Sequence, residues 1–318
     1  MLQYYTKHKI ICLVFSFLAT FVFYIATCIS VGGVVPPTLI GMVTTTVLFL
    51  SFLFMTSRIF GRRIDTMVMQ MLDTYNRDCD PQRLYDQGAQ LAGKIMKGMT
   101  KSPRENSTGS WFLSFYALAA ADLGRVQEAE DMAKAMVKTA GQQRKPFDQL
   151  TVLANLEPLV LRLHGAAAAQ AVLDQAEQLL SQVSGPGAEV YGTFVKGEGS
   201  TLANMRNGNT QALLDLFERV RRSDDQLMRM RVMYADAAAS IYQAQGDQVS
   251  ERACRQFVVS NGNKLPLVPL NAARLEELVC SYDAQQQASG TAVFAPAPTG
   301  TSQDSSADAT VPPADPQA

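Results

Sequence analysis

The sequence predicts an all-α protein: an N-terminal transmembrane helical hairpin, an α-solenoid of helix pairs, and a disordered tail. Three observations predict it. Residues 10–57 form a run of 48 residues without a charged side chain. Beyond it, glycines that end Ala/Leu-rich helices recur at 124, 165, 208 and 246, at spacings of 41, 43 and 38. From residue 288 the composition turns to Ala, Pro, Ser, Thr and Asp, with Phe294 as the only aromatic. The domains are therefore 1–57, 58–287 and 288–318.

The charge distribution follows the same borders. The 318-residue chain has 28 Lys+Arg and 29 Asp+Glu. Lys7 and Lys9 precede the uncharged run, the middle segment carries 26 bases and 26 acids, and the tail has three Asp and no base. So balanced a middle segment lacks the uncompensated Lys/Arg field that nucleic-acid binding needs. With only His8 and His164, and five cysteines without C-x-x-C spacing, no metal or cofactor site is expected. The odd cysteine count does not indicate a closed disulfide framework and suits a reducing compartment.

Crossing a hydrocarbon core takes about 20 helical residues. The uncharged run holds two such spans, 10–30 and 39–56, separated by Val31-Gly-Gly-Val-Val-Pro-Pro37, which cannot continue a helix. Lys7 and Lys9 precede the first span, Arg58, Arg62 and Arg63 follow the second, and the turn has no base. The positive-inside rule places both ends in the cytoplasm of an inner or plasma membrane. A rival reads the start as a signal peptide, with Ile25-Ala-Thr-Cys28 similar to a lipoprotein cleavage box; Thr27 fits that box poorly. The spans carry no acid or base, which favours an anchor over an ion path.

Phe60, Ile64, Met67, Val68, Met71, Leu72 and Tyr75 then mark one apolar helix face. It is expected to be the first core helix of the body rather than an interfacial helix or dimer seam. Asp80-Pro81 reads as an N-cap with proline at the first helical position. Leu84, Leu91, Ala92, Ile95 and Met96 mark the next helix, and a loop runs from Lys101 to Gly109. From Trp111 each unit is two helices joined by a turn glycine, which supplies backbone angles other residues resist. A period near 40 with two helices per unit marks a stacked array.

The first unit, Trp111 to Ala129, resembles a tetratricopeptide repeat. It has the small Ala117 in the first helix, the turn Gly124, and Glu128-Ala129 at the fourth and fifth positions after it. The fourth unit carries Tyr242 and Gly246-Asp247, and in the third Gly208-Asn209 leads to Phe217. The second departs: Pro158 interrupts its first helix and Glu177 stands where a small residue is expected. The resemblance covers 109–258, and the long period leaves room for another solenoid type. It implies a curved surface that binds protein or peptide segments, lined by the first helix of each unit. That face would carry Trp111, Ser114, Leu118, Asn155, Leu159, Glu198, Leu202, Asp236, Ser240 and Gln243. The family's Lys/Asn set for a terminal carboxylate is missing, with Met233, Asp236 and Ser240 in its place, so an apolar or basic segment is the better-fitting partner.

Other motifs carry no chemistry. Lys196-Gly-Glu-Gly-Ser-Thr201 lacks the phosphate-loop pattern and lies inside a helix. The arginines from Arg219 to Arg231 interleave with Asp215, Glu218, Asp224 and Asp225, as on a solvated, salt-linked helix pair. His164 beside Gly165 suits a helix end. Glu276-Glu277, in a last helix started by Asn271 after Pro266 and Pro269, has no second group placed for acid–base work, and no catalytic residue or small-molecule substrate is indicated. The expected function is a membrane-anchored adaptor whose partners are the lipid bilayer and a protein or peptide. The alternatives are an accessory subunit of a membrane transport, secretion or division complex, and a membrane enzyme.

Overall fold

The computed structural model describes residues 6–31, 39–103 and 107–290. Among these residues there are twelve α-helices and no strand. Helices α1 (Thr6–Val31) and α2 (Leu39–Asn76) are long and apolar enough to cross a membrane. They lie side by side in opposite directions. His8 stacks on Phe60 with ring centroids 6.2 Å apart, and Ser16 Oγ lies 3.0 Å from Thr56 Oγ1. Both hydroxyls also donate to their own helices, to Cys12 O and Phe52 O, as small polar residues in spans do. Their outward side chains, such as Phe17 and Phe54, are large and apolar. The expected Gly/Pro turn lies, from residue 32 on, outside the described residues.

The border at residue 57 is not a break. α2 runs uninterrupted for 38 residues, about 57 Å at 1.5 Å per residue. Ile64, Val68, Met71, Leu72 and Tyr75 are buried in the body, so the second span and the first core helix are one rigid rod. Helix α3 (Pro81–Lys101) begins as expected: Asp80 Oδ1 accepts from Arg83 N at 3.0 Å, and Pro81 holds the first position. Gly88 lets it approach α4 (Ser110–Asp122) closely, since a Cβ there would lie 3.0 Å from the rings of Phe112 and Tyr116. Within the loop, 104–106 lie outside the described residues and 107–109 form one 3-10 turn.

Four Gly-linked pairs follow. They are α4 with α5 (Val126–Gln142), α6 (Pro146–His164) with α7 (Ala166–Leu180), α8 (Pro186–Arg206) with α9 (Thr210–Arg222), and α10 (Met228–Gln245) with α11 (Gln248–Asn261). Gly124, Gly165, Gly208 and Gly246 all have φ between +64° and +81°, the left-handed region that makes glycine the favoured residue. Two readings of proline need correction. Pro158 does not interrupt α6, because burial of Leu150, Leu156 and Leu159 carries the helix through it. Pro269 lies in the first turn of α12 (Leu267–Gly290), where a missing N–H costs nothing, so that helix starts before Asn271. The tail from 291 on lies outside the described residues, and α12 continues past 288 to Gly290.

Residues 1–275 form one compact unit and 276 onward a second. Within the first, neighbouring helices pack in sequence from α2 to α8, with α4 also on α6 and α6 on α8. Then the stacking changes. α9, α10 and α11 enclose a small core of their own, Leu213, Leu214, Phe217, Ala238, Ala239 and Cys254. The other face of α10, with Val232 and Ala235, belongs to the main core, which also holds Leu72, Phe112 and Leu159. The end of α11 reaches back to the start of the body. Asn263 Nδ2 donates to Asp78 O at 2.7 Å, and Lys264 Nζ to Asp80 Oδ2 at 2.6 Å. The array thus closes on its own first pair, where an open curved surface was expected.

Candidate functional site

The start of α10 meets the ends of α2 and α4. Arg229, in its first turn, is buried, with its guanidinium 4.3 Å above the ring of Tyr75 at the end of α2. Arg229 Nη2 lies 3.8 Å from Oδ2 of Asp122, the last residue of α4. Tyr75 donates its hydroxyl to the same oxygen at 2.7 Å, and Arg162 Nε, near the end of α6, to Asp122 Oδ1 at 3.4 Å. The ends of three first helices therefore converge on the start of α10. Burial holds the Tyr75 phenol well above its ordinary pKa.

Five residues further along α10, Tyr234 stacks on Phe217 of α9 with ring centroids 5.2 Å apart. Burial and then the carboxylates of Glu198 and Glu157 push its pKa up to about 12.

Glu157 and Glu198 form an acid pair without a base. Glu157 is 1% exposed, and its Oε1 is buried with no hydrogen-bond partner. Burial, then the charge of Glu198, pushes its pKa up to about 8, so it is mostly a neutral acid at pH 7. Burial also raises Glu198. Arg229 Nε is likewise buried without a hydrogen-bond partner. Such an acid pair can take up a cationic group; the described residues hold no cluster of three or more metal-ligating side chains.

The residues expected on the partner face are placed differently from one another. Ser114, Leu118, Leu159 and Leu202 are buried among the helices and offer no surface. Trp111 is half-buried, edge-on to Phe115. Asn155 donates to Ser110 Oγ at 3.2 Å and Thr151 O at 2.8 Å. Asp236 and Gln243 are engaged within the α10–α12 region: Asn271 Nδ2 donates to Asp236 Oδ1 at 2.6 Å, and Arg255 Nη2 to Gln243 Oε1 at 2.7 Å. Ser240 is exposed and donates to Asp236 O. Only Glu198 lies in the acid pair. The sequence reading missed Tyr75, Asp122, Glu157, Arg229 and Tyr234. Glu157 had a signal, a lone acid inside the apolar stretch from Leu153 to Leu163. The basic run is salt-linked as expected: Glu218 pairs with Arg221 at 2.6 Å and Arg222 at 2.9 Å, and Arg231 with Asp224 at 2.9 Å.

Comparison of the chain with protein-family models, with curated proteins and with solved structures finds no match.

Proposed function

We propose that the protein is a membrane-anchored helical-repeat adaptor, tetratricopeptide-like in its turn chemistry, that binds a protein or peptide partner at the cytoplasmic face. The observation that carries this reading is the single rod of α2, which runs from an apolar span into the core of a helix-pair array. A body built on that rod is held at the bilayer with restricted orientation. Confinement raises the effective concentration of any partner at the same membrane. Lys7 and Lys9 at one end, and Arg58, Arg62 and Arg63 at the other, favour a cytoplasmic body.

One observation favours a membrane enzyme instead: an acid pair with raised pKa values is a common feature of catalytic sites. It ranks second because Glu157 is 1% exposed, so no substrate reaches it without a displacement. Cross-linking and purification from membranes tests the adaptor. The expected result is one partner protein captured by the full chain. The same partner is expected when residues 1–57 are exchanged for an unrelated two-span hairpin joined in helical register at Arg58. Loss of the partner with location unchanged would instead make the spans themselves the contact surface, as in an accessory subunit.

A further inference from the structure

The helix ends of the body fall on two opposite sides. Tyr75, Asp122 and Arg162, which meet, stand at or near the ends of α2, α4 and α6. Neighbouring helices joined by short turns run antiparallel. The starts of α4, α6 and α8 and the ends of α3, α5 and α7 therefore lie at the other side, the one from which α2 continues into its apolar span. Contacts tie that side together. Gln143 Nε2, just past α5, donates to Pro103 O, just past α3, at 2.7 Å. Phe147, in the first turn of α6, stands edge-on to Tyr191 near the start of α8, with ring centroids 5.8 Å apart. The heights agree as well. α3 packs against α2 and its 21 residues span about 31 Å, while α2 beyond residue 57 spans about 28 Å. The end of α3 thus returns to the level of Arg58, where the span gives way to charged residues.

This side is basic and partly apolar. Lys97, Lys101, Lys138, Arg144 and Lys145 are exposed, and among the described residues none of them is held in an ion pair. Phe147, directly after Arg144-Lys145-Pro146, is 42% exposed. The acids here are Asp148 in α6, and Glu177 and Glu189 towards α7 and α8. On α2, Arg58, Arg62 and Arg63 stand at the same level with one acid, Asp65. We propose that the α3–α6 part of this side is a second bilayer contact: its bases bind anionic phospholipid headgroups and Phe147 seats at the interface. The proposal rests on the membrane-anchored part of the adaptor reading and goes beyond it, since the body itself then grips the surface that α2 enters. Charge selects the occupant. Anionic lipid in the cytoplasmic leaflet attracts each nearby base, and aromatic side chains favour the same zone. α2 already confines this side near the headgroups, so the contact needs little further ordering.

The test uses the full chain in nanodiscs of mixed phosphatidylcholine and phosphatidylglycerol. In a Cys28→Ser/Cys280→Ser background, a fluorophore is attached at one end of α5 or the other, through Gln142→Cys or Val126→Cys. The two ends are about 25 Å apart. A trace of either lipid carries a nitroxide at the top of its acyl chain, and quenching reads which lipid lies beside the fluorophore. Position 142 is expected to be quenched and position 126 not. Quenching at 142 is expected to be at least about fivefold stronger with labelled phosphatidylglycerol than with labelled phosphatidylcholine, the factor that one base gains at an anionic surface. The preference is expected to vanish in the Lys138→Glu/Arg144→Glu/Lys145→Glu chain. It is also expected to vanish in the parent chain at high salt, where exposed charges are screened. No quenching at 142, equal quenching at both positions, no preference between the lipids, or a preference that survives charge reversal or salt overturns the proposal. Absence of a lipid preference, with a cross-linked protein lost on charge reversal, would give this side to an acidic protein instead. Release of the chain from membranes by alkaline washing would remove the anchored reading and the proposal with it, whereas failed quenching in a chain that resists washing removes the proposal alone.

Discussion

Glu157→Gln is expected to make the protein more stable than the parent chain at pH 8, by a margin that closes as the pH falls. The folded pKa of Glu157 is about 8 against an ordinary 4.5. Between those values the folded state binds a proton that the unfolded chain has released, so parent stability falls as the pH rises. The slope is about 1.4 kcal/mol per pH unit, and the whole penalty is on the order of 4–5 kcal/mol above pH 8. Below pH 4.5 both states hold the proton and the penalty is absent. Glutamine keeps the shape and a hydrogen-bond donor but never ionises. Denaturant unfolding in detergent at pH 5, 7 and 8.5 reads the difference directly. A margin independent of pH would show that Glu157 is already ionised in the folded protein.

Arg229→Ala is expected to lose about 3–5 kcal/mol, the cost of leaving a buried carboxylate without its partner. Asp122 is 8% exposed at its side chain and Arg229 7%. The substitution also removes the guanidinium from the Tyr75 ring, and with it the stem that fills the space where α2, α4 and α10 meet. Arg229→Met keeps that stem and loses only the charge. Combined with Asp122→Asn, it is expected to recover most of the stability, because a neutral pair needs no ionic compensation. The same unfolding measurement compares the three variants. A loss below about 1 kcal/mol for Arg229→Ala would mean that this contact does not hold the array closed.

Local features of the fold were legible because local chemistry makes them. Gly124, Gly165, Gly208 and Gly246 each end a helix, and Asp80 caps one through an atom three residues from its partner. Closure was not legible. Lys264 meets Asp80 across 184 residues of sequence, and nothing near either residue encodes the other. A regular spacing of turns also says where helices end and not how the pairs rotate about one another. Residues counted on the inner face by repeat geometry, such as Leu159 and Leu202, are core. Pro158 misled for a related reason: propensity was read without the burial that overrides it. The acid pair combines Glu157 and Glu198 from two helices, and only the packing of α6 on α8 reveals it.

The account rests on a body held at the cytoplasmic face, and cysteine labelling tests that most directly. Cys280 is exposed, whereas Cys79 and Cys254 are buried, with thiols pushed up by burial to about 11 and about 12. In a Cys28→Ser background, which removes the half-buried thiol near the far end of α1, an impermeant maleimide is applied to intact cells and to permeabilised ones. The account predicts no labelling of intact cells, labelling of Cys280 after permeabilisation, and reaction of Cys79 and Cys254 only after unfolding. Labelling of Cys280 in intact cells would place the body outside and contradict it.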